Sequence, residues 1–249
     1  MGAVRPWLAA ALVAVLAGAA CSNVVSRKYE YEEDVYLDLD GSATIYVNAA
    51  VPALVALRDA PLPVDPAARL DRNDIRAWFQ GPATRVASVS TSRREGRRYV
   101  HLRIETDDIR TLSTAAPFAW SAYRLVEKDG VWVFTQQVTA AAGKPVGEVG
   151  WQGDELVAVR LHLPSRVPFH NAPSRTIERG NIITWEQPLT ARAKGEPLSI
   201  EVHLERESIL FQTLALFGGM ALLAIGTLAL FVWWVWRKGK RPAMPARPA

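Results

Sequence analysis

The sequence predicts an α+β fold: a curved antiparallel β-sheet with short helices packed on one face, followed by a single C-terminal transmembrane helix. Three observations predict it. Apolar and polar residues alternate with period two between turn dipeptides, helix-starting residues sit between those hairpins, and a long uncharged apolar stretch closes the chain.

The first strand is read over 29–39, where Tyr29, Tyr31, Val35, Leu37 and Leu39 alternate with Glu30, Glu32, Asp34, Asp38 and Asp40. Asp40-Gly41 turns the chain into a second strand over 43–51. Pro52 suits the first turn of a short helix to Leu57, because its missing amide proton has no partner there anyway. Asp71 or Asn73 can cap a second helix through Ile75, Trp78 and Phe79, stopping near Gly81-Pro82. A hairpin follows over 84–92 and 97–106 around Glu95-Gly96, and Asp107 or Asp108 can cap a short third helix through Leu112. A further hairpin is read over 122–127 and 131–138 around Asp129-Gly130, and later strands over 155–163, 181–186 and 198–205.

The chain ends define topology. Residues 1–20 have one positive charge at Arg5, an apolar run from Trp7, and the small residues Ala17, Gly18, Ala19 and Ala20, which is the pattern of a secretory signal. The sole cysteine, Cys21, follows directly, so no intramolecular disulfide can form and lipidation is expected at this position, with residues 21–26 as a tether. Ordinary cleavage near Ala19 or Ala20 is the other outcome. Residues 208–236 carry no charge, long enough to span a bilayer, and Arg237, Lys238, Lys240 and Arg241 follow at once. Trp233, Trp234 and Trp236 sit at interfacial depth. The expectation is a protein of the cytoplasmic (inner) membrane, with a domain over 27–207 facing the periplasm or cell exterior and a cytoplasmic tail over 237–249.

Charge divides along the same lines. The formal net charge is +4, but six of the 29 Lys and Arg residues lie at Arg5 and in the tail, where no acid occurs, so the domain is close to neutral at −2. No nucleic-acid footprint remains.

Catalytic and metal motifs are not evident: His101, His162, His170 and His203 lack ligand spacing, and no nucleophile stands beside a base in a known pattern, so no cofactor, metal or enzymatic activity is expected. The acidic run Glu30, Glu32, Glu33, Asp34, Asp38 and Asp40 reads first as the wet face of a strand and second as a cation site. Arg93, Arg94, Arg97 and Arg98 make a basic hairpin tip, an ordinary exposed turn or a contact for lipid headgroups. The aromatic excess is more informative. Trp78, Phe79, Trp120, Trp132 and Trp185 are the candidates to line an apolar ligand cavity; a filled core is the plain alternative.

Residues 161–189 read LHLPSRVPFHNAPSRTIERGNIITWEQPL, with Leu163-Pro164 after a strand, a turn carrying His170-Asn171, and then Gly180-Asn181 leading into Trp185. This segment, the Gly41-Ser42 turn, Cys21 and the final apolar helix together resemble the LppM-like envelope lipoproteins. Gly18 departs from the usual lipobox, and residues 61–81 do not align. The resemblance implies an α+β domain related to lipid-holding folds, and it implies no catalytic residues. Asn171, Asn181 and Trp185 also have a structural reading, since Asn tolerates tight turns and Trp suits a strand. The functional expectation is a membrane-tethered, non-enzymatic lipoprotein that binds an apolar or lipid ligand or another envelope component, such as an envelope protein, at the outer face of the cytoplasmic membrane. A scaffold acting through its helix, where Ala215 and Gly219 give a small-residue face, is the alternative, and an envelope hydrolase ranks below both.

Overall fold

The computed structural model describes residues 28–239. The expected signal over 1–20, Cys21, the expected tether over 21–26 and the residues beyond 239 lie outside the described residues. Strand β1 (Tyr29–Leu37) turns Tyr31, Val35 and Leu37 into the core and pairs antiparallel with β2 (Ala43–Ala50). In the connecting turn Asp40 Oδ1 accepts from Ser42 N (2.9 Å) and Ser42 Oγ (2.7 Å), and Gly41 supplies a φ of 97°.

β2 runs straight into α1 (Val51–Arg58), with Pro52 in its first turn and all eight residues buried. Asp59 ends the helix in the left-handed conformation (φ 55°), its amide donating to Val55 O at 3.1 Å. Helix α2 (Arg72–Phe79) is capped by Asp71, which accepts from Asn73 N at 2.7 Å, and it buries Ile75 and Phe79. The hairpin of β3 (Arg85–Arg94) and β4 (Arg97–Thr106) turns on Glu95-Gly96, both with positive φ. The expected third helix is a 3-10 segment, Ile109–Thr114, capped by Asp108, and a second one, Ala116–Phe118, follows.

Strands β5 (Ser121–Lys128) and β6 (Val131–Val138) form the next hairpin. After them come β7 (Leu156–His162), the two-residue β8 (Phe169–His170), β9 (Ile182–Pro188), the short α3 (Leu189–Ala193) and β10 (Leu198–Glu205). The α+β class holds, but the expected single sheet is two sheets. The larger has the order β3-β4-β2-β1-β7-β9 and the smaller β5-β6-β10-β8. All neighbours are antiparallel except β1 and β7, which run parallel through Tyr29↔Leu156 to Tyr36↔His162. The core lies between the inner face of the larger sheet, α1 and the smaller sheet, where Ile45, Leu54, Leu57, Phe79, Phe118, Phe134 and Trp185 are fully buried.

Helix α4 (Ile209–Gly239) begins against the domain, Ile209 N donating to Pro164 O at 2.9 Å. Its 31 residues extend about 46 Å, more than the ~30 Å of a bilayer's hydrocarbon core, and its large apolar side chains are exposed along the length. It is long and apolar enough to cross a membrane. At its far end Arg237 lies 5.1 Å over the Trp233 ring and Lys238 4.0 Å over that of Trp234.

Candidate ligand cleft and buried polar junction

A cleft of about 470 Å³ opens where the β3–β4 hairpin tip meets the loop before α2 and the loop before β7. Val51, Pro52, Val64, Pro66, Val146 and Val149 give it an apolar lining, and Asp65, Glu95 and Glu148 add acids. Its polar frame is held from below. Glu30, fully buried by the irregularity in β1 pairing between Tyr29 and Tyr31, accepts from Tyr99 OH (2.8 Å), Arg97 Nη2 (3.0 Å) and Trp151 Nε1 (3.2 Å). Arg97 also reaches Gly150 O at 3.0 Å, and Arg98 donates to the carbonyls of Pro63 and Ala68. Arg93 bonds Pro66 O (2.9 Å), and Arg94 bonds Tyr29 O (3.2 Å) and Tyr99 OH (3.1 Å). Of the four arginines read from sequence as an exposed basic tip, Arg93 and Arg94 are exposed while Arg97 and Arg98 turn inward, and Arg93, Arg97 and Arg98 are the staples that fix the loops around the cleft. Backbone carbonyls, which cannot ionise, take much of their bonding capacity.

A second polar group lies inside the core, between the sheets. Glu33 occupies the inner face of β1, in phase with Tyr31 and Val35, and pairs at 2.7 Å with Arg58, the last residue of α1; both side chains are sealed from solvent. Tyr31 OH donates to Glu33 Oε2 (2.8 Å), while Gln136 Nε2 (3.3 Å) and Tyr123 OH (3.4 Å) approach Oε1. Tyr31 and Trp120 each present a ring 4.3 Å from the Arg58 guanidinium, and Phe118 a third at 5.1 Å. Burial raises the Glu33 carboxyl to about 7, against the hydrogen bonds of Gln136 and Tyr123, and lowers Arg58 to about 9. Burial and the Glu33 charge push the Tyr123 hydroxyl well above its ordinary range. Glu30 and Glu33 thus leave the wet face assigned to the acidic run. Glu32 and Asp34 remain on it, at 2.7 and 3.3 Å from Arg160.

Among solved structures the chain is similar to the NMR structure of the folded domain of Mycobacterium tuberculosis LppM, at 13% identity and a TM-score of 0.41, covering 74% of this chain and 94% of that one. No family model and no curated protein matches the chain. At that identity and score the likeness assigns neither ligand nor role.

The five aromatics singled out by sequence do not meet around one cleft. Phe79, Trp120 and Trp185 are buried in the core, and Trp78 and Trp132 are half-buried against it. Trp185 Nε1 donates to Asn171 Oδ1 at 3.0 Å, and that oxygen also accepts from Glu201 N at 2.9 Å, so Asn171 joins β9 of one sheet to β10 of the other. Asn181 adopts φ 57° and donates to Ser165 O (2.9 Å), next to the start of α4. The histidines are dispersed: His162 stacks on Tyr36 at 3.9 Å, His203 bonds Glu201 at 2.9 Å, and His170 Nδ1 accepts from Ala172 N at 3.3 Å. Among the described residues no three His, Cys, Asp or Glu side chains gather as metal ligands.

One line of residues has the order of a catalytic triad. Ser92 Oγ lies 2.7 Å from His101 Nε2, and His101 Nδ1 lies 2.9 Å from Asn48 Oδ1. It spans β3, β4 and β2 on the open outer face of the larger sheet, and Ser92 is exposed. Cross-strand register accounts for both contacts: Asn48 and His101 are direct partners, and Ser92 lies diagonal to His101, whose direct partner on β3 is Ser90.

Proposed function

We propose that the protein is a membrane-tethered, non-enzymatic binding protein of the cell envelope, anchored by α4 and by a lipid on Cys21, that holds the apolar part of a lipid or of another envelope component in the cleft at the β3–β4 tip. The observation that carries this reading is the cleft itself: valine and proline side chains line it, and buried Glu30 and the arginine staples frame it. A preformed recess with an apolar lining and charged groups at its frame is what a ligand with an apolar part and a polar end needs. The enclosing loops accept hydrogen bonds from Arg93, Arg97 and Arg98 through their main-chain carbonyls, so little ordering remains to oppose binding.

The test is native mass spectrometry of the full chain, purified from bacterial membranes and released from detergent. A stoichiometric lipid adduct is expected, and Val64→Glu with Val146→Glu is expected to remove it while leaving the fold intact. The same spectrum reads the mature N-terminus, where a diacylglyceryl mass on Cys21 is expected. A clean apo mass, with no uptake from added envelope lipids, would overturn the lipid reading. If replacing α4 by an unrelated span then abolishes function in cells, the scaffold alternative takes its place.

A further inference from the structure

Trp120, immediately before β5, is the ring at which two buried arginines meet. The guanidinium carbon of Arg58 lies 4.3 Å from its centroid and that of Arg192, on α3, 5.8 Å. Only one of the two has an acid. Arg58 pairs with Glu33, whereas Arg192, at 0% exposure, donates through Nη1 to the Glu196 carbonyl, and its Nε and Nη2 find no partner among the described residues. The Glu196 carbonyl is shared with Gln187 Nε2 at 3.3 Å, so it offers Arg192 little more. Trp120 Nε1 and the Nε and Nη1 of Arg58 are also buried without a partner. Gln187 Oε1 and Gln136 Oε1, on amides bonded to the Glu196 carbonyl and to Glu33, are buried acceptors without a partner as well, so five such donor atoms stand against two neutral acceptors, and two positive groups face one carboxylate.

A buried guanidinium without a counter-charge is strongly disfavoured, and buried polar groups in folded proteins are satisfied almost without exception. We infer that Arg192 and the Trp120 Nε1–H form an interior site for a small inorganic anion of about chloride size, supported by the charge of Arg58. The burial of all three residues favours this class over an organic anion, because a ligand of more than a few atoms has no passage to them. Burial also lowers the pKa of Arg192, the direction that an anion beside it reverses. The site is independent of the cleft and does not rest on the reading given for it.

The experiment is thermal unfolding of the full chain in detergent, at constant ionic strength, with chloride replaced by gluconate. Chloride at about 200 mM is expected to raise Tm by about 5 °C over gluconate, the effect of a ligand present well above its dissociation constant. Arg192→Met is expected to abolish that difference. Should this variant not fold, the 35Cl linewidth of the wild-type protein gives a second reading, with excess broadening removed by bromide. Equal Tm in the two salts without excess broadening would mean that water satisfies the donors, which overturns the inference. A chloride effect retained in Arg192→Met, or stabilisation by phosphate alone, overturns it as well.

Discussion

Replacing Glu33 with glutamine keeps the size of the side chain between the sheets but removes its titration, and this changes how stability depends on pH. In the folded protein burial raises Glu33 from its ordinary 4.5 to about 7, while the hydrogen bonds of Gln136 and Tyr123 pull the other way. Between those two values the folded state holds a proton that the unfolded chain has released. Stability contributed by this group therefore falls as pH rises from about 4.5 to about 7, and is constant above. The full difference is about 3 kcal/mol. Arg58, lowered to about 9, acts only above that value, and the depressed Asp40 and Asp108 act only below the ordinary carboxylate range, so all three lie outside the window. The assay is urea unfolding of the full chain in detergent, followed by tryptophan fluorescence, across this pH range. Wild-type midpoints should decline with rising pH, and Glu33→Gln should lie on a nearly level line. Wild-type stability that climbs with pH would refute the reasoning, because it would mean that the attraction of Arg58 at 2.7 Å outweighs the cost of burying the carboxylate.

Three further outcomes follow from the same structure. Arg58→Met should cost about 3–5 kcal/mol above pH 7, where it strands an ionised Glu33, and combining it with Glu33→Gln should recover part of that loss in denaturant titrations. Asp71→Ala removes the N-cap of α2 and should lower stability by about 1 kcal/mol, read as a fall of about 2–4 °C in Tm. Wild type and Ser92→Ala should alike resist labelling by a fluorophosphonate; labelling of the wild type that disappears in Ser92→Ala would make the Ser92–His101–Asn48 line a catalytic site.

Much of the fold is legible because local signals agree with the final packing. Strands 97–106, 131–138 and 198–205 match β4, β6 and β10 to the residue, and of the paired cap candidates Asp71 or Asn73 and Asp107 or Asp108 the structure uses Asp71 and Asp108. The partition into two sheets was not legible, because the β1–β7 pair joins residues more than 120 positions apart and leaves no local signature. β8 and α3, of two and five residues, are too short to show a period. The buried acids are a different case. Position 33 is in phase with 31, 35 and 37, so strict alternation alone points Glu33 inward, but its place within an acidic run masks that signal. Glu30 gave no such hint, since only the irregular pairing beside Tyr31 buries it. The cleft was equally hidden, because its valines and prolines come from the first turn of α1 and from two separate loops whose meeting with the hairpin tip depends on the arginine staples.

The parallel pairing of β1 with β7 also decides where the domain's two ends lie. Lys28 O accepts from Leu156 N at the start of β7 (2.9 Å), whereas Pro164, just past its end, accepts from Ile209 N (2.9 Å). Eight residues of extended chain separate these points by about 26 Å. The cleft belongs to the Lys28 end, since Arg94 of the hairpin tip bonds Tyr29 O and Gly150 lines the recess. Helix and cleft therefore stand at opposite ends of one hydrogen-bonded sheet. Held by α4 alone, the cleft is free to stand off from the bilayer. Under the proposed reading, a lipid on Cys21 is seven Cα steps from Lys28, a reach of at most about 25 Å, and it draws the cleft end toward the headgroups. The second anchor then adds little to membrane attachment, which a spanning helix already secures, and acts instead on what the cleft can reach.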